Sequence, residues 1–304
     1  MNYPAEVRLV EVGPRDGLQN EASKLSVEQK STLVDYLSNS GLRVIETGSF
    51  VSPRWVPQMA NSTEVFNTIE RKPGVRYSAL TPNERGLRDA MAADADEVAI
   101  FVAVTESFSQ KNLNASIQET LDRYQSVLKI AQEHQLPVRG YLSCVLGCPY
   151  EGDVNPEQVT VLTQQLLEAG CYEVSLGDTI GTGTAGSMSR LLETLFSKNI
   201  TTEQIAMHCH DTYGQALANI VIALQHGIAT IDVSVAGLGG CPYAIGATGN
   251  VATEDVIYLL NGLGIKHGVE LSSLLKASDY ICTQLGRETQ SRAGRALQLN
   301  QSGS

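Results

Sequence analysis

Short runs of β-branched and apolar residues alternate along the chain with stretches of helical spacing. Residues 7–12 read as a first strand, followed by a helix over 26–40. Ser26 caps that helix, Glu28 and Gln29 lie in its first turn, and Gly41 ends it. The next three strands fall at 44–46, 75–80 and 97–104, with helices near 63–70, over 84–93 and over 117–135. A fifth strand at 138–145 precedes a helix that Pro156 opens and Gly170 ends. Strands at 172–176, 205–210 and 231–235 complete the series, each with a helix after it.

Eight strand–helix units with no antiparallel hairpin signal predict an α/β fold, a closed (β/α)8 TIM barrel, over an open doubly wound sheet. At 304 residues the chain fits such a barrel of about 250 residues plus an extension. No G-x-G-x-x-G follows the first strand, and residues 182–186 carry a glycine-rich loop signal only. No low-complexity stretch or Pro/Gly linker splits the chain. The expected organisation is a catalytic barrel over 1–270 and a C-terminal part over 271–304, with a helix at 272–285 and a frayed polar tail.

Composition narrows the function. A formal net charge of -11 argues against a nucleic-acid partner, and an anionic small molecule needs a local cationic patch against that background. No apolar run reaches the roughly 18 residues of a membrane span, and the polar stretch 1–6 has no secretory h-region. The six scattered cysteines read as thiols in a reducing cytoplasm. Cys144 and Cys148 hint weakly at zinc, but no second pair completes a structural site.

Barrel active sites lie at the C-terminal ends of the strands. Those ends carry Arg15 and Asp16 after the first strand, Glu46 after the second and Asp178 after the sixth. His208 and His210 come from the seventh, and Cys241 and Asn250 from the long loop after the eighth. Side chains two apart on a strand share a face, so both imidazoles are expected in one cavity. Buried histidines satisfied by backbone groups are the equally weighted reading of a bare H-x-H. Asp16, His208, His210 and Asn250 form a mixed oxygen and nitrogen set that suits Mg²⁺ or Mn²⁺, zinc being less natural. Asp211 either orients a histidine or caps the following helix. Cys209 faces away and packs, whereas Cys241, within a glycine-rich loop, is a candidate proton shuttle.

The stretches 12–21 and 234–244 resemble the first-strand and cysteine signatures of the 3-hydroxy-3-methylglutaryl-CoA lyase family. Further matches fall at 45–47, 49–53, 140–141, 146–152, 175–181 and 208–219, so the resemblance spans about 7–285. It implies a metal-dependent carbon–carbon lyase, of the leucine-degradation type, splitting an acyl-CoA substrate into acetyl-CoA and acetoacetate. Asp16, His208, His210 and Asn250 would be ligands, Arg15 would stabilise the enolate, and Cys241 would transfer a proton. Glu46 and Asp178 would complete the site, with His208 or a water as the hydroxyl base. It also implies a homodimer, while the lack of an Arg-rich transit segment and of the animal-type C-terminal cysteine favours a bacterial-type cytoplasmic enzyme. The chain departs from the family in Ala22, where a lysine is frequent and Lys24 stands two residues on. Gly48 replaces a threonine, and the C-terminal cysteine of animal relatives is missing. Relatives acting on longer side chains would share the same residues. Condensing synthases of the isopropylmalate and homocitrate type, and a non-catalytic metal and acyl-CoA binding protein, are the competing readings.

Overall fold

The computed structural model describes residues 3–240 and 249–302. Eight parallel strands close into a barrel in chain order, the last pairing with the first. They are β1 Arg8–Glu11, β2 Val44–Ser49, β3 Arg76–Leu80, β4 Glu97–Ala103, β5 Val138–Ser143, β6 Glu173–Asp178, β7 Ile205–Cys209 and β8 Thr230–Val233. Helices α1 Val27–Asn39, α2 Ser62–Thr68, α3 Glu84–Ala92, α4 Glu106–Leu113, α5 Ile117–Glu133 and α6 Pro156–Glu168 follow the first five strands. Helices α7 Ala185–Ser197, α8 Ala216–Gln225, α9 Thr253–Leu263, α10 Leu271–Leu285 and α11 Arg292–Ser302 follow the rest. No described helix is long and apolar enough to cross a membrane.

Strand alternation divides the chain's chemistry. Leu9, Ile45, Val98, Ile100, Leu142, Val174, Leu176, Met207 and Ile231 lie in one core with the apolar faces of the helices, such as Leu33, Val34 and Leu37 of α1. Alternate positions on the same strands carry charge instead. Arg8 and Arg139 both pair with Glu173, Arg76 pairs with Glu97, and Arg139 pairs with Asp232. Arg139, Glu173 and Asp232 are at most 2% exposed, so only mutual pairing makes their burial tolerable.

Local signals set the helix starts. Ser26 accepts from the Gln29 amide in a reciprocal capping box, Ser116 does the same with Glu119, and Pro156 opens α6 behind the Asn155 cap. Strand β2 runs past Glu46 to Ser49 through a bulge between Glu46 and Gly48. A Cβ on Gly48 would come 2.7 Å from Ser62 Oγ, which accounts for the bare backbone there. Two helices differ from the sequence expectation. Helix α4 was not anticipated, and the polar end expected to fray forms α11, docked where Asp255 accepts from Ser291 Oγ and the Ala293 amide at 2.7 Å each.

Candidate active site

The first loop is wound tightly. Val12 leads into a π-type turn, Gly13–Gly17, that carries Arg15 and Asp16. Glu11 ties this turn to the loop after β8. Its Oε1 accepts from the Gly13 and Val235 amides at 2.9 Å each, and its Oε2 accepts from the Thr253 hydroxyl at 2.6 Å. A Cβ on Gly13 would lie 2.5 Å from Glu11 Oε1, so only glycine fits. Burial raises the Glu11 pKa to about 8 despite those three donors.

Strand β7 and the residue that continues it deliver the imidazoles with the strand's period of two. His208 Nε2 and His210 Nε2 face each other at 3.3 Å, and Asp16 Oδ2 lies 3.9 Å from His208 Nε2. One ligand atom each from Asp16, His208 and His210 falls within 4.8 Å of the others. Asn250, bridged to His210 through its backbone, donates from Nδ2 to Asp16 Oδ2 at 2.8 Å and to the Leu238 carbonyl at 3.1 Å. The four residues expected to share an ion are therefore gathered from the turn after β1, the end of β7 with the residue just past it, and the chain between β8 and α9.

The arrangement fits a divalent cation. Two imidazole nitrogens at 3.3 Å cannot both present lone pairs to each other without a proton or cation between them. The Asn250 Oδ1 is buried with no hydrogen-bond partner among the described residues. Burial disfavours the Asp16 carboxylate, but Arg15 and both imidazoles outweigh it and hold its pKa at about 2. A carboxylate, two imidazoles and an amide oxygen make a donor set of intermediate hardness.

Arg15 stands beside this set. Its Nε donates to Glu46 Oε2 at 2.6 Å, its Nη1 donates to Asp16 Oδ1 at 2.8 Å, and its guanidinium lies 5.3 Å from the Tyr141 ring centre. Glu46 is wholly buried; burial pushes its pKa up, against the pull of Arg15. Arg15 is thus a fixed cation at the cavity wall, braced by two carboxylates.

Other predicted residues fall elsewhere. Asp178 is the last residue of β6 and, unlike Gly177 and Thr179, does not line the cavity. It turns toward the loop behind, where its Oδ2 accepts from the Gly183 amide at 3.0 Å and burial raises its pKa to about 6. Strand alternation explains the correction: Ser175 and Gly177 take the interior face, so Asp178 takes the opposite one. Asp211 accepts from the Ala216 amide at the start of α8 and so secures that helix. Cys209 is buried in the core. Cys241 lies outside the described residues, and none of the five described cysteines is in a disulfide.

Sequence reasoning missed Asp232, Arg139 and Tyr141. Asp232 Oδ2 is 3.2 Å from His208 Nδ1, and both its oxygens receive the Arg139 guanidinium. Burial works against the Asp232 carboxylate, yet Arg139 and His208 hold its pKa well below the usual range. The available signal was a polar residue at every second position inside otherwise apolar strand runs, as Arg139, Tyr141 and Ser143 in Val138–Ser143.

A cavity of about 820 Å³ opens above these groups, with Leu80, Phe101 and Tyr141 in its wall and Lys111 and Arg123 among its lining cations. Neither Ala22 nor Lys24 lines it.

Comparison with known proteins bears on the fold and the family. The chain is 59% identical over 297 residues to the 3-hydroxy-3-isohexenylglutaryl-CoA/hydroxy-methylglutaryl-CoA lyase of Pseudomonas aeruginosa, covering 98% of this chain and 99% of that one. The crystal structure of hydroxymethylglutaryl-CoA lyase from Pseudomonas aeruginosa superposes with a TM-score of 0.96 at 58% identity, over 99% of this chain and 100% of that one. An HMG-CoA lyase from Acinetobacter baumannii, solved with coenzyme A and 3-methylmalate, gives 0.92 at 31% identity over 97% and 96% of the two chains. A profile described as HMGL-like matches residues 6–281, and the chain belongs to that family.

Proposed function

We propose that the chain is a divalent-metal-dependent lyase that cleaves 3-hydroxy-3-methylglutaryl-CoA into acetyl-CoA and acetoacetate. The observation that carries this reading is the convergence of Asp16, His208, His210 and Asn250 beside the braced Arg15. Mg²⁺ or Mn²⁺ held by those four residues would act as a Lewis acid toward substrate oxygens. The rest of the chemistry belongs to the protein. As the carbinol hydroxyl passes its proton to a base and its oxygen becomes the ketone of acetoacetate, breaking the bond between the carbinol carbon and the thioester α-carbon leaves that bond's electron pair on the α-carbon as an enolate. Arg15 places fixed positive charge where that negative charge develops, and its two carboxylate braces limit its movement as the reaction proceeds. Glu46, wholly buried and absent from the cavity wall, acts through Arg15. Cys241, which follows β8 in the sequence, is assigned the proton delivered to the enolate carbon.

Lys111 and Arg123 supply the cationic patch that an acyl-CoA phosphate needs on a chain of net charge -11. No observation favours a condensing synthase or a non-catalytic binder. A reducing compartment such as the cytoplasm suits the five described cysteines, all buried and none in a disulfide. The test is direct: purified protein with Mg²⁺ and the substrate should release acetyl-CoA, and EDTA should stop it until metal is restored. Intact substrate after prolonged incubation with metal would eliminate the reading.

A further inference from the structure

We propose that Asp232 is a positioning residue that fixes which nitrogen His208 presents to the cavity, and that Arg139 and Ser175 hold Asp232 in that role. The inference rests on the reading of His208 as a metal ligand.

A ligating imidazole nitrogen must carry a lone pair, so the ring hydrogen has to sit on the other nitrogen. In His208 the nitrogen facing His210 and Asp16 is Nε2, and the one facing Asp232 Oδ2, at 3.2 Å, is Nδ1. A carboxylate accepts hydrogen bonds and donates none, so Asp232 selects the tautomer with hydrogen on Nδ1 and the lone pair of Nε2 turned to the ligand cluster.

Asp232 is itself over-determined. Its Oδ1 accepts from Arg139 Nη2 at 2.7 Å, and its Oδ2 accepts from Arg139 Nη1 at 3.1 Å and from the Ser175 hydroxyl at 2.7 Å. Arg139 is anchored from its far side, its Nε donating to Glu173 Oε2 at 2.8 Å. The four groups come from β5, β6, β7 and β8, four neighbouring staves of a closed barrel. Asp232 is 2% exposed and absent from the cavity wall, so it does not touch substrate and acts through the side chains it holds, His208 among them. An ion pair serving only to neutralise Arg139 would not need an oxygen turned to the one imidazole nitrogen that faces away from the cluster.

The test uses metal-free protein labelled with ¹⁵N-histidine and needs no turnover. In the wild type the His208 ring shifts should report hydrogen on Nδ1. Asp232→Asn keeps the size but puts an NH₂ against either Arg139 or the His208 and Ser175 side, so the tautomer preference should weaken. Mn²⁺ affinity, read from free Mn²⁺ by electron paramagnetic resonance, should fall about 10- to 100-fold, the usual scale for such outer partners. Ser175→Ala removes one donor and should shift both readouts in the same direction by less. A folded Asp232→Asn protein with wild-type Mn²⁺ affinity and ring shifts would overturn the proposal. So would wild-type shifts showing hydrogen on Nε2, a result that does not depend on whether any variant folds. Substrate left intact by wild-type enzyme would instead defeat the functional reading, which these measurements do not use.

Discussion

Glu11 offers a sharp test of how the barrel rim is held together. It is wholly buried, and its carboxyl joins the turn bearing Arg15 and Asp16 to the loop after β8. Burial raises its pKa from 4.5 to about 8; the three donors oppose that rise, and neighbouring Glu254 adds to it. The sign follows from proton counting. Below pH 4.5 the group is protonated in both folded and unfolded chains and has no effect. Between 4.5 and 8 the folded chain keeps a proton that the unfolded chain has released, so stability falls as pH rises. Above pH 8 the loss is complete. At about 1.4 kcal/mol per pH unit it amounts to roughly 5 kcal/mol, a large part of the roughly 5–15 kcal/mol by which domains are stable. Glu11→Gln removes the titration while keeping an acceptor for the Gly13 and Val235 amides and a donor toward Thr253. Urea unfolding of both proteins at intervals between pH 5 and 9 should show the variant gaining on the wild type as pH rises, by an amount on the order of 5 kcal/mol. Parallel stability curves would refute the reasoning, because a carboxylate ionised throughout that range gives no divergence.

Two further outcomes bear on the chemistry. Arg15→Gln should lower kcat/KM by about 10²- to 10³-fold, since it removes charge needed only as the enolate forms. It should also destabilise the fold by about 3–5 kcal/mol, because Glu46 then keeps a buried charge without its guanidinium partner. Activity within threefold of wild type would remove Arg15 from the mechanism. Cys241→Ala should reduce turnover by about two orders of magnitude while leaving Mn²⁺ affinity unchanged, and a wild-type rate would exclude the thiol from proton transfer.

Much of this protein was readable locally. A serine followed three residues later by glutamine starts α1 wherever the chain goes, because the capping box is closed by backbone amides a single turn away. The eight apolar runs and the absence of hairpin turns implied a parallel barrel. The period of two along a strand placed His208 and His210 on one side before any partner was known. The convergence of Asp16 and Asn250 on them followed from the barrel, whose strand ends share one mouth. What the tertiary structure alone decided is which face of each strand looks inward. In a parallel barrel both faces are buried, one by helices and one by the opposite strands, so no solvent-facing side marks the difference. For that reason Asp178 was expected in the cavity and lies behind it, while Arg139 and Asp232 went unnoticed inside apolar runs and stand at the centre of the barrel. Helix α11 escaped for a related reason: its sequence is polar, and its position depends on Asp255, a residue 37 places before its first residue, accepting hydrogen bonds from the chain that leads into it.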